Sequence, residues 1–187
     1  MNVHSPDSSP GSGLRAYLLG AWSVDRTMWD RQSGTRGSFT GVVHFSDLDH
    51  SEPRRSTPQA SGHHHALLSH EEGTVHWAAS NGSPFTGPAT RDYILRTADA
   101  PGALDVFFPD GRPFHQMSFT ATANAQHWCD PDTYRVQYVY VSQDEFRYTW
   151  DVSGPAKDLL LESVLRRLDP RQSGREAAGA QELGSKA

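Results

Sequence analysis

The sequence predicts an all-β domain: an antiparallel up-and-down barrel of about eight to ten strands with one short N-terminal helix. Three observations carry that prediction. Apolar and polar residues alternate at period two along most of the chain. The cleanest case is "EFRYTWDV", where Phe146, Tyr148, Trp150 and Val152 oppose Glu145, Arg147, Thr149 and Asp151. Turn-forming clusters recur at short intervals. Helical spacing stands out once only, in "GLRAYLLGAW". Consecutive strands with short links form a meander, and closing a meander into a barrel removes its exposed edges.

The elements follow in order. Residues 1–12 are rich in Ser, Pro and Gly and read as a disordered tail. Leu14, Tyr17 and Leu18 share one helical face, and Gly20 ends that turn. "AWSVDRTMW" puts Trp22, Val24, Arg26 and Met28 on one strand face; "GSFTGVVHF" does the same for Phe39, Gly41, Val43 and Phe45. Residues 46–64 are polar and turn-rich and read as one long loop. Turns are then expected at "EEG" (71–73), "NGSP" (81–84), "PDG" (109–111), "TANA" (122–125), "DPD" (130–132), "SQD" (142–144) and "SGP" (153–155). The barrel domain is expected over 13–169, with a second disordered tail over 170–187.

Bulk properties narrow the function classes. A chain of 187 residues, 36% of them apolar, suits one domain with polar tails. It has no apolar run of about 18 residues, so no membrane partner is expected. "MNVHSPDSSPGSG" lacks the basic and apolar regions of a secretory signal, and the single Cys129 cannot form an internal disulfide. Both features point to a cytoplasmic location. A formal charge of −5 with scattered basic residues argues against nucleic acid, which needs a basic stripe. Oligomeric state is not encoded in any pattern here.

Two hairpins can be phased. If Asp110-Gly111 is a two-residue loop, Phe108 lies opposite Pro113 and Val106 opposite His115. Leu104, Val106, Phe108, His115, Met117 and Phe119 then share an inward face, while Asp105, Phe107, Phe114, Gln116 and Ser118 face out. If Pro131-Asp132 are central in the next turn, Cys129 lies opposite Tyr134 and His127 opposite Val136. His127, Cys129, Tyr134, Val136 and Tyr138 then share the inward face.

These phases define the candidate site. His115, His127 and Cys129 could form a polar constellation in an apolar cavity. His-x-Cys on a strand sets two side chains on one face about 7 Å apart. The plainer alternative is a buried Cys and His residues satisfied by backbone carbonyls. No recognised zinc spacing exists, so no metal site is expected. "DPD" offers paired carboxylates, Asp130 and Asp132, but the commoner use of such a segment is a turn. An inward Arg26 either binds a ligand's acidic group or pairs with an internal acid such as Asp92 or Glu162. Lys157, in a turn beside Asp158, reads as an exposed ion pair, and His63-His64-His65 as part of a solvated loop. No G-x-S-x-G, H-E-x-x-H or P-loop is present.

Gly20-Ala21-Trp22 is a G-x-W that follows a short helix and opens the first strand, and the last strand "DLLLESVLRRL" ends in Arg166 and Arg167. This combination resembles the calycin superfamily, the lipocalins and their relatives. The resemblance implies that Trp22 closes the barrel floor and that a terminal arginine, assigned here to Arg166 with Arg167 as the other candidate, packs across it. An indole fills a wide apolar end, and a guanidinium can stack on it while donating to carbonyls. "LLGAWSVDR", "GSFTG", "DGRPFH", "HWCDPDTY" and "WDVSGPAKD" resemble an uncharacterised family of bacterial and fungal lipocalin-like domains. That resemblance implies a fold and no reaction.

The expected function is therefore binding of one small, largely apolar molecule inside the barrel. Arg26, His115, Met117, His127, Tyr134, Tyr138 and Trp150 are the expected ligand contacts. Gly20, Trp22, Asp130, Asp132 and Arg166 have expected structural roles. Two alternatives use the same cavity: an isomerase- or cyclase-like enzyme with candidates His115, His127, Cys129 and Tyr134, or a haem protein with an inward His as axial ligand. A further alternative is an interaction module with a filled core. Cofactor use is left open.

Overall fold

The structure, a computed structural model, describes residues 13–48, 66–78, 83–120 and 131–169, with 124–129 described as backbone only. One helix, α1 (Leu14–Leu18), precedes ten strands: β1 (Gly20–Asp30), β2 (Arg36–Asp47), β3 (Leu67–Trp77), β4 (Phe85–Thr97), β5 (Ala103–Phe107), β6 (Pro113–Ser118), β7 (Asn124–Cys129), β8 (Asp132–Ser142), β9 (Glu145–Gly154) and β10 (Lys157–Arg167). They form one antiparallel sheet in the order β6-β5-β4-β3-β2-β1-β10-β9-β8-β7. First and last strands pair from Trp22↔Arg167 to Asp30↔Leu159, so the sheet curls into a nearly closed barrel. Among the described residues no ladder joins β6 to β7, so the barrel shows a seam there.

Alternation explains the strands. Trp22, Val24 and Met28 are buried on β1, as are Phe39, Val43 and Phe45 on β2 and Phe146 and Val152 on β9. Their neighbours on the other face meet water, as period two requires.

The closed end is built from α1 and both ends of the meander. Leu14, Tyr17 and Leu18 are buried, and Gly20 turns the chain from helix to strand at φ 110°, a conformation open to glycine. Trp22 is fully buried and donates its Nε1–H to the Leu18 carbonyl at 2.8 Å. The guanidinium over its ring, 4.1 Å from the centroid, belongs to Arg167. Arg167 also donates to the Leu19 and Tyr17 carbonyls at 3.0 and 2.6 Å, meeting acceptors that a helix end leaves open. The floor role expected of Arg166 thus falls to Arg167. Arg166 points the other way and pairs with Glu145 and Asp25 in the solvent, because adjacent strand residues face opposite sides.

Other expectations shift as well. "EEG" is no turn: Glu71, Glu72 and Gly73 lie mid-strand in β3. Gly73 pairs with Gly41 where β2 and β3 approach so closely that a Cβ on it would sit 2.3 Å from the Thr40 carbonyl oxygen. Ser46 and Asp47 extend β2 rather than opening the long loop, and 49–65, with His63–His65, lie outside the described residues. So do 1–12, 170–187 and Asp130. Turns not anticipated close β1–β2 at 31–33 and β4–β5 around 99–102.

Candidate functional site

The barrel encloses a cavity of about 90 Å³. Its closed end is apolar, lined by Val43, Phe45, Leu95, Val106, Met117, Phe146 and Leu165. Above them runs a polar belt that follows from strand register. Tyr138 lies opposite Tyr148, Tyr148 opposite Ser163, and Ser163 opposite Arg26, so four polar side chains form one row across β8, β9, β10 and β1. Arg26 is the hub. Its Nε–H donates to Ser163 Oγ at 2.9 Å, its Nη2 donates to the Tyr148 hydroxyl, and its two Nη groups grip both Glu71 oxygens at 3.1 and 2.7 Å. Burial disfavours the Arg26 charge, but Tyr148 and Glu71 outweigh that and raise its pKa above the ordinary arginine value. Both side chains of the pair are largely buried, at 10% and 14% exposure, so bidentate geometry compensates their desolvation. The acid that holds Arg26 is thus Glu71, whereas Asp92 pairs with His70 on the outer face and Glu162 is exposed.

His115 on β6 extends the belt from its Tyr138 end, with Nε2 and the Tyr138 hydroxyl 2.7 Å apart. Burial pushes the Tyr138, Tyr148 and Tyr93 phenols above the usual tyrosine range. All three therefore stay protonated donors at neutral pH. Arg91, directly across from Glu71 on β4, lines the cavity near its mouth and donates to the Tyr93 hydroxyl at 3.3 Å.

Aromatic rings form the mouth. Phe114 stacks on Trp150 with centroids 5.2 Å apart and on Tyr93 at 5.5 Å, and Phe108 packs on Phe114 at 4.7 Å. Phe114 was expected to face out. The predicted Val106↔His115 pair forms, but Pro113 pairs with Phe107 instead of Phe108, and the register shift between Val106 and Phe107 brings Phe114 into this cluster.

The second hairpin is displaced by two residues: Cys129 pairs with Asp132 and His127 with Tyr134. A shift of two preserves the face, so Val136 is buried and Tyr138 lines the cavity as expected. Asp132 is therefore no turn centre. It opens β8, is buried, and pairs with Lys157 Nζ at 2.7 Å; Asp158, expected beside Lys157, binds Arg31. Tyr134 stands at the rim, where its hydroxyl accepts from Lys157 at 3.3 Å, and is not among the cavity-lining residues.

Of the expected ligand contacts, Arg26, His115, Met117, Tyr138 and Trp150 line one cavity. The side chains of His127 and Cys129 lie outside the described set. Glu71, Arg91, Tyr93, Tyr148 and Ser163 were not anticipated as site residues. Tyr148 was the readable one, since its phase with Phe146 and Trp150 placed it inside. Among the described residues no group of three or more His, Cys, Asp or Glu side chains is placed to hold a metal ion, and no helix is long and apolar enough to cross a membrane.

Comparison with known proteins supports the architecture. The S-type phycobiliprotein lyase CPES from Guillardia theta superposes with a TM-score of 0.54 at 10% identity, covering 83% of this chain and 90% of that one. A redesigned β-barrel, mFAP1, solved bound to DFHBI, matches 82% of this chain and 98% of its own at 19% identity, with a TM-score of 0.35. At 10% identity the likeness to the lyase is one of fold alone. No curated protein matches the chain. Residues 18–167, which carry α1's last residue and all ten strands, match a family described as a family of unknown function, DUF6314, and the chain belongs to that family.

Proposed function

We propose that this domain binds one small, largely apolar molecule inside its barrel, in the manner of lipocalin-like carriers. The observation that carries the reading is the enclosed cavity with an apolar floor, a hydrogen-bonding belt and an aromatic mouth. Ligand sites typically combine such an apolar lining with a few fixed polar groups. A side-chain-filled interaction module would leave no such space. A water needs roughly 10–15 Å³ by this measure, so the cavity has room for a handful of waters or one small ring. That volume favours a small ring over a haem, since even drug-sized ligands occupy pockets of about 300–1,000 Å³.

The methionines supply a test. Only three occur in the chain, and of the two among the described residues, Met28 and Met117, Met117 lines the cavity. Titrating neutral benzyl alcohol into ¹³C-methyl-Met protein should shift the Met117 resonance saturably, with one site per chain. A filling variant, Val106→Phe, should abolish the shift while near-ultraviolet circular dichroism stays native. No response from Met117 to any single-ring compound would defeat the proposal.

A further inference from the structure

The belt carries an unequal set of charges. Besides its tyrosines, the described lining of the cavity holds two arginines, one glutamate and one histidine: Arg26, Arg91, Glu71 and His115. Arg26 and Glu71 cancel each other in a bidentate pair that uses both Glu71 oxygens. Arg91 sits directly across from Glu71, yet Glu71 is already taken, and among the described residues no carboxylate pairs with Arg91. Its contacts are the hydroxyl and the ring face of Tyr93. A guanidinium has five N–H donors in a fork that matches a carboxylate. With one bond to Tyr93, Arg91 keeps an open pair for such a group. Among the described lining residues the arginine and glutamate side chains thus sum to one positive charge, placed at the mouth side of an apolar chamber.

We propose that the cavity selects a single-ring organic monoanion, a carboxylate on an apolar body, and that Arg91 is its anchor. This rests on the small-molecule reading above and assigns the ligand's class. The ring would enter the apolar chamber beneath the belt, and the carboxylate would remain at belt height against Arg91. A monoanion matches the lining's single surplus charge. A dianion such as a phosphate monoester would bring a second negative charge to a site where Glu71 is already buried, with no second open cation among the described lining residues to meet it. Arg26, the obvious anchor by sequence, is the poorer one, because Glu71, Ser163 and Tyr148 take four of its five donors and Glu71 cancels its charge.

The experiment compares phenylacetate with its neutral isostere phenylacetamide, by calorimetry and by the Met117 methyl resonance. Wild-type protein should bind phenylacetate about tenfold more tightly, the scale of one charge-assisted hydrogen-bond set at a partly exposed site. Arg91→Met should reduce that ratio to near one, and Arg91→Lys should keep part of it. Equal wild-type affinity for the two compounds would overturn the anion assignment and leave the small-molecule reading standing. An undiminished carboxylate preference in Arg91→Met would overturn the assignment of Arg91 as anchor. Failure of both compounds and of benzyl alcohol to shift Met117 would defeat both proposals. The wild-type comparison decides the ligand class even if a variant folds poorly.

Discussion

Glu71 fixes what Arg26 can do. A guanidinium inside a barrel is costly unless its charge is met, and Glu71 meets it with two parallel hydrogen bonds at low exposure. Removing only the acid strands the cation. Glu71→Gln should therefore lower unfolding stability by roughly 3 kcal/mol, read from a urea midpoint at constant m-value. The double replacement Arg26→Met with Glu71→Leu should recover most of that loss, since apolar groups of similar volume often substitute well for a buried pair. A double variant as unstable as Glu71→Gln alone would show that the charge pair is not the source of the cost. The inward direction of Arg26 was legible from its phase with Trp22, Val24 and Met28. Its partner was not. Glu71 lay in "EEG", which resembles a turn, and the contact joins β1 to β3 across the curvature of the barrel. A choice among Glu71, Asp92 and Glu162 depends on how far the strands stagger, which no local pattern states.

At the scale of strands, the same "EEG" misreading has a structural cause. A glycine inside a strand marks either a break or a place where another backbone comes close. Here it is the second: Gly41 and Gly73 face each other across β2 and β3, and Phe39 packs against both. A methyl group on Gly73 would meet the Thr40 carbonyl oxygen and the Gly41 Cα at 2.3 and 2.6 Å, and backbone atoms cannot rotate away. Gly73→Ala should cost about 2 kcal/mol or more, and amide exchange should quicken in β2 and β3 ahead of β9 and β10. Unchanged stability would mean that the strands part without loss. Pairing order and inward faces were readable because burial on one side fixes the phase of each strand. Register was less so. The "DPD" hairpin slipped by two residues, harmless to its faces, whereas the one-sided shift at Val106/Phe107 carried Phe114 from the outer surface to the mouth. Bulges of that kind arise from packing, and the sequence around "FFPDGRPFH" gives aromatic rings on both phases.

Across the whole molecule, the tyrosines tie the fold to pH. Tyr93, Tyr138 and Tyr148 in the belt and Tyr17 at the floor all have pKa values raised by burial, four of the six tyrosines in the chain. In the unfolded chain each would ionise near pH 10. A raised native pKa means that the folded state keeps its proton where the unfolded state has lost it. The resulting contribution to stability is fully present below about pH 10 and is lost as pH climbs toward the native values. Each such tyrosine adds a slope of up to about 1.4 kcal/mol per pH unit above that point. The barrel should therefore open in alkali in one step, with phenolate absorbance and near-ultraviolet circular dichroism changing together at a midpoint above pH 10. Tyr148→Phe removes one of these groups, and the urea midpoint measured above pH 10 should fall less steeply with pH than in wild type. Six phenolates formed near pH 10 with native circular dichroism intact would show that the belt is wet and its hydroxyls unburied. That outcome would also remove the dry, donor-lined interior on which selective capture of a small anion depends.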